Sequence, residues 1–237
     1  MNASATAGRL SERRYFVAVW VGFATLVAAG FARSYYLRSF FDAPPLTTLV
    51  HVHGAVMTAW VVLLGAQISL IVVLRPAWHR RLGWWGVGVG TLVVALGCAA
   101  TLTAAAREVP GGTARGPLQL TVLGLELTPM VLFATLAALA IRQRRGPDVH
   151  SRLMILATMC LLPSPIARLP INFGANAGIL MWFDLIVIAV VVADAIRQRR
   201  LHPAYGWGAT LLLAGLNGAY VVAYTPTWHR MATWLVS

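Results

Sequence analysis

The chain has 237 residues, 59% of them apolar and 11% charged, and its charges sit in short clusters separated by uncharged stretches of about 20 residues, the length that crosses a ~30 Å hydrocarbon core. Its positive charge is carried by 19 arginines and no lysine, for a net +12, and arginines confined to loops report membrane topology rather than nucleic-acid binding. The lack of lysine excludes a retinal-type Schiff base, and two cysteines without a CxxC pair, Cys98 and Cys160, support neither a disulfide framework nor a dithiol redox motif.

Apolar runs at about residues 15–33, 48–74, 84–106, 118–141, 152–170, 176–196 and 206–225 predict an all-α integral membrane bundle, a single domain over 1–237 with seven transmembrane helices. The first run follows a basic segment and ends in Ala28, Ala29 and Gly30, as a cleaved signal peptide would. Its length favours a retained helix. Tyr35, Tyr36, Phe40 and Phe41 then suit an interfacial aromatic belt, and Asp42-Ala43-Pro44-Pro45 suits a turn.

His51 and His53 open the second span. Two residues apart on a helix, they point about 200° apart and enter one site together only if the helix end is unwound. The third span starts with His79-Arg80-Arg81-Leu82 and continues through Gly83, Gly86, Gly88 and Gly90, where Gly86-xxx-Gly90 would admit a neighbouring backbone. The fourth carries Glu126. The fifth starts with His150-Ser151-Arg152-Leu153, a return of the earlier tetrad after 71 residues, and is interrupted by Pro163-Ser164-Pro165, so its far third is expected to be kinked or unwound. Arg168 follows the interruption, Asp184 lies in the sixth span, and Asn217 and Tyr220 lie in the seventh.

Thirteen of the 19 arginines fall before the first span or in the turns before the third, fifth and seventh, which places the amino terminus inside and the carboxyl terminus outside a bacterial plasma membrane. In that frame His51, His53, Glu126, Arg168 and Asp184 share one outer-half layer. A charge in hydrocarbon costs roughly 2.5–3.5 kcal/mol on insertion scales, so these groups are expected to face inward and pair, with Arg168 and Asn217 as polar links. They form either a structural ion network, a metal site combining His51 or His53 with Glu126 and Asp184, or a binding site for a proton or polar solute. His79, His150 and His202 lie among the inner arginines, as interfacial residues or as ligands.

The pattern His51-x-His53, a tryptophan-bearing second span, His79-Arg80-Arg81-Leu82-Gly83 and His150-x-x-Leu153-Met154 resembles poorly characterised bacterial multi-pass membrane families, some linked to assembly of haem-containing oxidases, and is similar to the cytochrome b561 class. The resemblance covers spans two to five and rests on short motifs. It implies a haem b with His79 and His150 as axial ligands and Arg81 and Arg152 pairing its propionates. The fourth span carries Glu126 where the b561 scheme has a histidine, so the outer haem of that scheme lacks a ligand here.

Three functions follow as expectations: a haem- or other metal-binding protein of respiratory or redox membrane chemistry or its assembly; a transporter or binder of a small polar solute, ion or proton through Glu126, Arg168 and Asp184; or a non-catalytic subunit of a larger membrane or respiratory complex. No nucleophile–base pair, phosphate loop or dense histidine cluster names a reaction.

Overall fold

A computed structural model describes residues 3–41, 44–106, 116–171 and 176–236. Among these there are helices and turns and no strand. The helices are α1 (Ala3–Phe31, continued by a widened turn over Ala32–Tyr36), α2 (Thr48–Val72), α3 (Pro76–Ala106), α4 (Pro117–Arg142), α5 (Pro147–Met159), α6 (Pro163–Ile166), α7 (Asn176–Gln198), α8 (Pro203–Ala223) and α9 (Pro226–Val236). Among the described residues seven stretches are long and apolar enough to cross a membrane, α5 and α6 together making one of them. The expected count of spans is met, and the expected break in the fifth span is found between Met159 and Pro163.

Proline sets most of the boundaries. α3, α4, α5, α6, α8 and α9 all begin at a proline, whose fixed φ suits the first helical position and whose missing N–H is one that a helix start leaves without an intrahelical partner. Two of the intervening turns close in the left-handed conformation without glycine. Leu74 (φ 58°) follows α2 and Arg199 (φ 56°) follows α7. In each, the next residue's N–H reaches back five residues, Arg75 to the Leu70 carbonyl at 2.8 Å and Arg200 to the Ala195 carbonyl at 3.1 Å, a Schellman closure in which glycine is the unstrained choice.

The chain forms two compact units. The first comprises Met1–Leu46, Gly54–Thr91 and Leu162–Pro203. Within it α1 is the hub: Trp20 Nε1 donates to the Val61 carbonyl (2.9 Å), Arg13 to the Val72 carbonyl (3.1 Å), and Tyr15 Oη to the Val190 carbonyl (3.0 Å), tying α1 to α2 and α7. Phe23, Trp60, Phe183 and Val187 are buried in this unit. Gly30 on α1 lies directly against the main chain of Pro165, so the short helix after the break seats on α1 only because no side chain stands there.

The second unit comprises Thr47–His53, Leu92–Leu161 and Ala204–Ser237. Here α4 packs along α5, burying Leu136, Ala140, Leu153, Leu156 and Ala157, with Tyr205 and Leu212 of α8 also fully buried. At the opposite end of α4, Ala105, Leu120 and Leu123 form a cluster with Ala232 and Val236 of α9, a helix too short to appear among the expected spans.

Two substitutions test this account. Arg199→Gly is expected to raise thermal stability in detergent by roughly 1 kcal/mol, because the left-handed residue is exposed and carries an avoidable backbone strain. Gly30→Val should lower it by about 1–3 kcal/mol through overlap with the Pro165 backbone. Equal melting temperatures for both variants and the parent would contradict the turn and helix geometries.

Candidate functional site

The repeated histidine has the same helical address in both copies. Pro76 and Pro147 are the first residues of α3 and α5, so His79 and His150 each stand three residues in. Their backbone N–H groups make equivalent first-turn bonds, His79 to the Arg75 carbonyl (3.1 Å) and His150 to the Gly146 carbonyl (3.0 Å). Each ring then reaches back to the helix before it.

The rings differ in what they meet. His150 Nδ1–H donates to the Ala140 carbonyl at 2.8 Å, in the last turns of α4. A carbonyl only accepts, so the ring proton sits on Nδ1 and the neutral imidazole carries its lone pair on Nε2. His79 Nδ1 lies 3.3 Å from the Gln67 carbonyl of α2, and with the Gln67 amide oriented to satisfy its neighbours, its nitrogen donates to the same atom at 2.6 Å. In that orientation the Gln67 amide also donates to the His79 carbonyl (3.1 Å) and accepts from Gly83 N–H (3.0 Å), strapping the first turn of α3. The shorter contact makes His79 Nδ1 an acceptor and places the proton on Nε2. The two imidazoles are thus held differently, His150 by a backbone carbonyl and His79 by the Gln67 amide.

The paired arginines diverge as well. Arg81 is exposed and lies over Trp78 (5.4 Å). Arg152 is 1% exposed, donates to the Asp148 carbonyl (2.8 Å) and lies 5.8 Å from the Tyr205 ring centre. An arginine pairing a propionate must present its fork outward, and of the two Arg81 does so.

The other expected residues are distributed over both units: His79, Arg81, Arg168 and Asp184 belong to the first, and His51, His53, Glu126, His150, Arg152 and Asn217 to the second. α2 is regular through His51 and His53, so the unwinding that would bring both imidazoles to one point does not occur. His51 is exposed and His53 half-buried. Glu126 is exposed on α4, and Asp184 is half-buried on α7. Arg168 donates to both the backbone and the hydroxyl oxygen of Ser164 (2.6 and 2.9 Å) and lies over Phe31 at 4.5 Å. Asn217 donates to the Leu213 carbonyl within its own helix (2.9 Å). Among the described residues, no three His, Cys, Asp or Glu side chains converge as a multi-ligand ion site needs, a test that does not touch groups such as haem with one or two protein ligands.

Two polar clusters were not anticipated. Asp194, fully buried near the end of α7, accepts from Arg197 (2.5 Å) and Gln198 Nε2 (2.8 Å). Arg197 in turn faces Glu12 of α1 (3.9 Å) and the Tyr15 ring (5.4 Å). Its signal was the Asp194–Arg197 spacing of three, masked because Arg197 also reads as a topology charge. In the second cluster Thr121 donates to the Ala223 carbonyl (3.2 Å) and accepts from His229 Nε2 (3.0 Å), while Trp228 Nε1 donates to the Leu120 carbonyl (2.6 Å).

No family model, curated protein or solved structure matches the chain.

Removing one partner of a buried ion pair strands the other. Asp194→Ala is therefore expected to destabilise the protein by about 3 kcal/mol or more, and Asp194→Asn by less, since an amide oxygen still accepts from Arg197. Thermal unfolding of the two variants in one detergent checks the order, and equal losses would assign the effect to packing alone.

Proposed function

We propose that the chain is a multi-pass protein of a bacterial plasma membrane, amino terminus inside and carboxyl terminus outside, that binds haem b or another metal cofactor and serves redox or respiratory membrane chemistry or its assembly. The clustered arginines support the orientation. The observation that carries the cofactor reading is His150: its Nδ1–H is held by the Ala140 carbonyl, the outer-shell bond that orients metal-ligating imidazoles and raises their basicity. In this reading His150 would be a ligand held within the second unit, and His79 with the exposed Arg81 a separate candidate within the first. A haem held by His150 would supply one-electron chemistry at iron, while the Ala140 carbonyl fixes the orientation of the ring through Nδ1–H.

The broken fifth span favours a second reading, the binding or transport of a small polar solute, ion or proton engaging Arg168 and Asp184 in the first unit or Glu126 in the second, because interrupted spans often line ligand sites. Unchanged uptake in proteoliposomes carrying Glu126→Gln and Asp184→Asn would remove it.

The cofactor reading is tested by a dithionite-reduced minus oxidised spectrum of the purified protein with elemental analysis. The expected result is a Soret band and bound iron that His150→Ala abolishes, and His79→Ala shifts or weakens. The iron-to-protein ratio of the two variants tells whether the imidazoles serve one group or separate ones. Wild-type protein with no Soret band and no iron, copper or zinc overturns the reading.

A further inference from the structure

α9 is an eleven-residue helix held against the first turns of α4, the end of α4 opposite its arginine-bearing terminus. Three features fix it there. The Trp228 indole donates to the Leu120 carbonyl and rests on Gly124, where a side chain's Cβ would come within 2.9 Å of the ring. His229 donates to Thr121, which donates on to the last residue of α8, Ala223. Thr225 caps the helix by accepting from Trp228 N–H (3.2 Å), and Pro226 takes its first position. Because α4 and α8 are both long and apolar enough to cross a membrane, α9 is pinned at the depth where two spans end.

At about 100° per residue the helix divides into three arcs. Trp228, His229, Ala232 and Val236 face α4 and the buried cluster. Beside them stand Met231, Trp234 and Leu235, exposed by 50%, 74% and 43%. The remaining arc carries Arg230 and Thr233, also exposed, while Thr227 of the first turn falls on the apolar flank between Trp234 and Met231. An exposed surface split lengthwise into apolar and polar flanks, with a tryptophan on the apolar side, is the pattern of a helix lying in the membrane interface.

We propose that α9 binds the bilayer surface, lying in the plane of the leaflet with Met231, Trp234 and Leu235 at the acyl-headgroup boundary and Arg230 at the level of the lipid phosphates. The lipid-facing surfaces of its neighbours continue this contact, since Leu118 and Val122 of α4 and Val221 and Val222 of α8 are exposed apolar residues at the same ends. A second copy of the chain fits less well. Three side chains burying at most ~150–250 Å² each fall short of the roughly 800 Å² per partner that a stable interface covers. Bilayer contact has no such minimum, because the spans already hold the helix in place.

Spin labels at residues 230, 231, 233, 234 and 235 of the full chain in phosphatidylcholine vesicles test the proposal. Expected are collisions with oxygen exceeding those with a water-soluble nickel chelate at 231, 234 and 235, and the reverse at 230 and 233. The native cysteines are left untouched in a second measurement, which compares wild type with Trp234→Phe. The emission lost in the variant should be quenched by lipids brominated near the headgroup end of their chains and not by aqueous iodide. Labels at all five positions reached by the nickel chelate, or Trp234 emission quenched by iodide, place α9 in water and overturn the proposal. Shielding of 231, 234 and 235 from both quenchers puts a protein surface over them and overturns it equally.

Discussion

A peptide group inside hydrocarbon has no water to bond, so every carbonyl and N–H in a span must find its partner in the chain. Much of this fold follows from where that requirement is met and where it is relaxed. It is met by continuous helix in α2, α3, α7 and α8, while Pro129 removes one N–H from the interior of α4. It is strained at the end of α5, where Pro163 and Pro165 contribute no N–H. There the chain contracts: Leu161 N–H bonds to Thr158, Ile166 to Leu162, Ala167 to Pro163 and Arg168 to Pro165, all within 3.1 Å. The break is possible because local three- and four-residue bonds replace the lost ladder and because Gly30 lets the α6 backbone sit against α1. A larger residue at position 30 would push apart two backbones whose polar groups are arranged for that contact.

The same constraint moves sequence-encoded chemistry to the helix ends. His79 and His150 occupy one position in one motif, yet their rings are set differently because the preceding helices offer different groups: a carbonyl at Ala140, a carbonyl plus a side-chain amide at Gln67. The repeat was legible in the primary structure, and so was its location at a helix start after proline. The tautomers were not, because they depend on which atom lies opposite Nδ1 across a turn, and that depends on turn length and helix rotation.

Spans were readable because run length is a one-dimensional property, and the broken fifth helix was readable because proline acts locally. Leu74 and Arg199 were opaque as turn residues because left-handed closures usually announce themselves with glycine. α9 was opaque for a related reason: its apolar residues are few, and its anchor, the Leu120 carbonyl, lies 108 residues away and has no side-chain signature. Reading Arg152 as a propionate partner and Arg197 as a topology charge also hid how they pack. Arg152 and Arg197 lie near the helix ends that topology assigns them, but their guanidinium planes turn inward over Tyr205 and Tyr15.

That inward turn has a physical basis that separates these two from the remaining arginines. A guanidinium is more weakly hydrated than an ammonium and offers a flat face to an aromatic ring while its edge donates to oxygen, so it can leave water where lysine could not. Arg152 uses both surfaces, edge to the Asp148 carbonyl and face toward Tyr205, within the helix whose first turn carries His150. In the first copy Arg81 stays exposed beside Trp78, so of two arginines in one motif one is buried and the other is not.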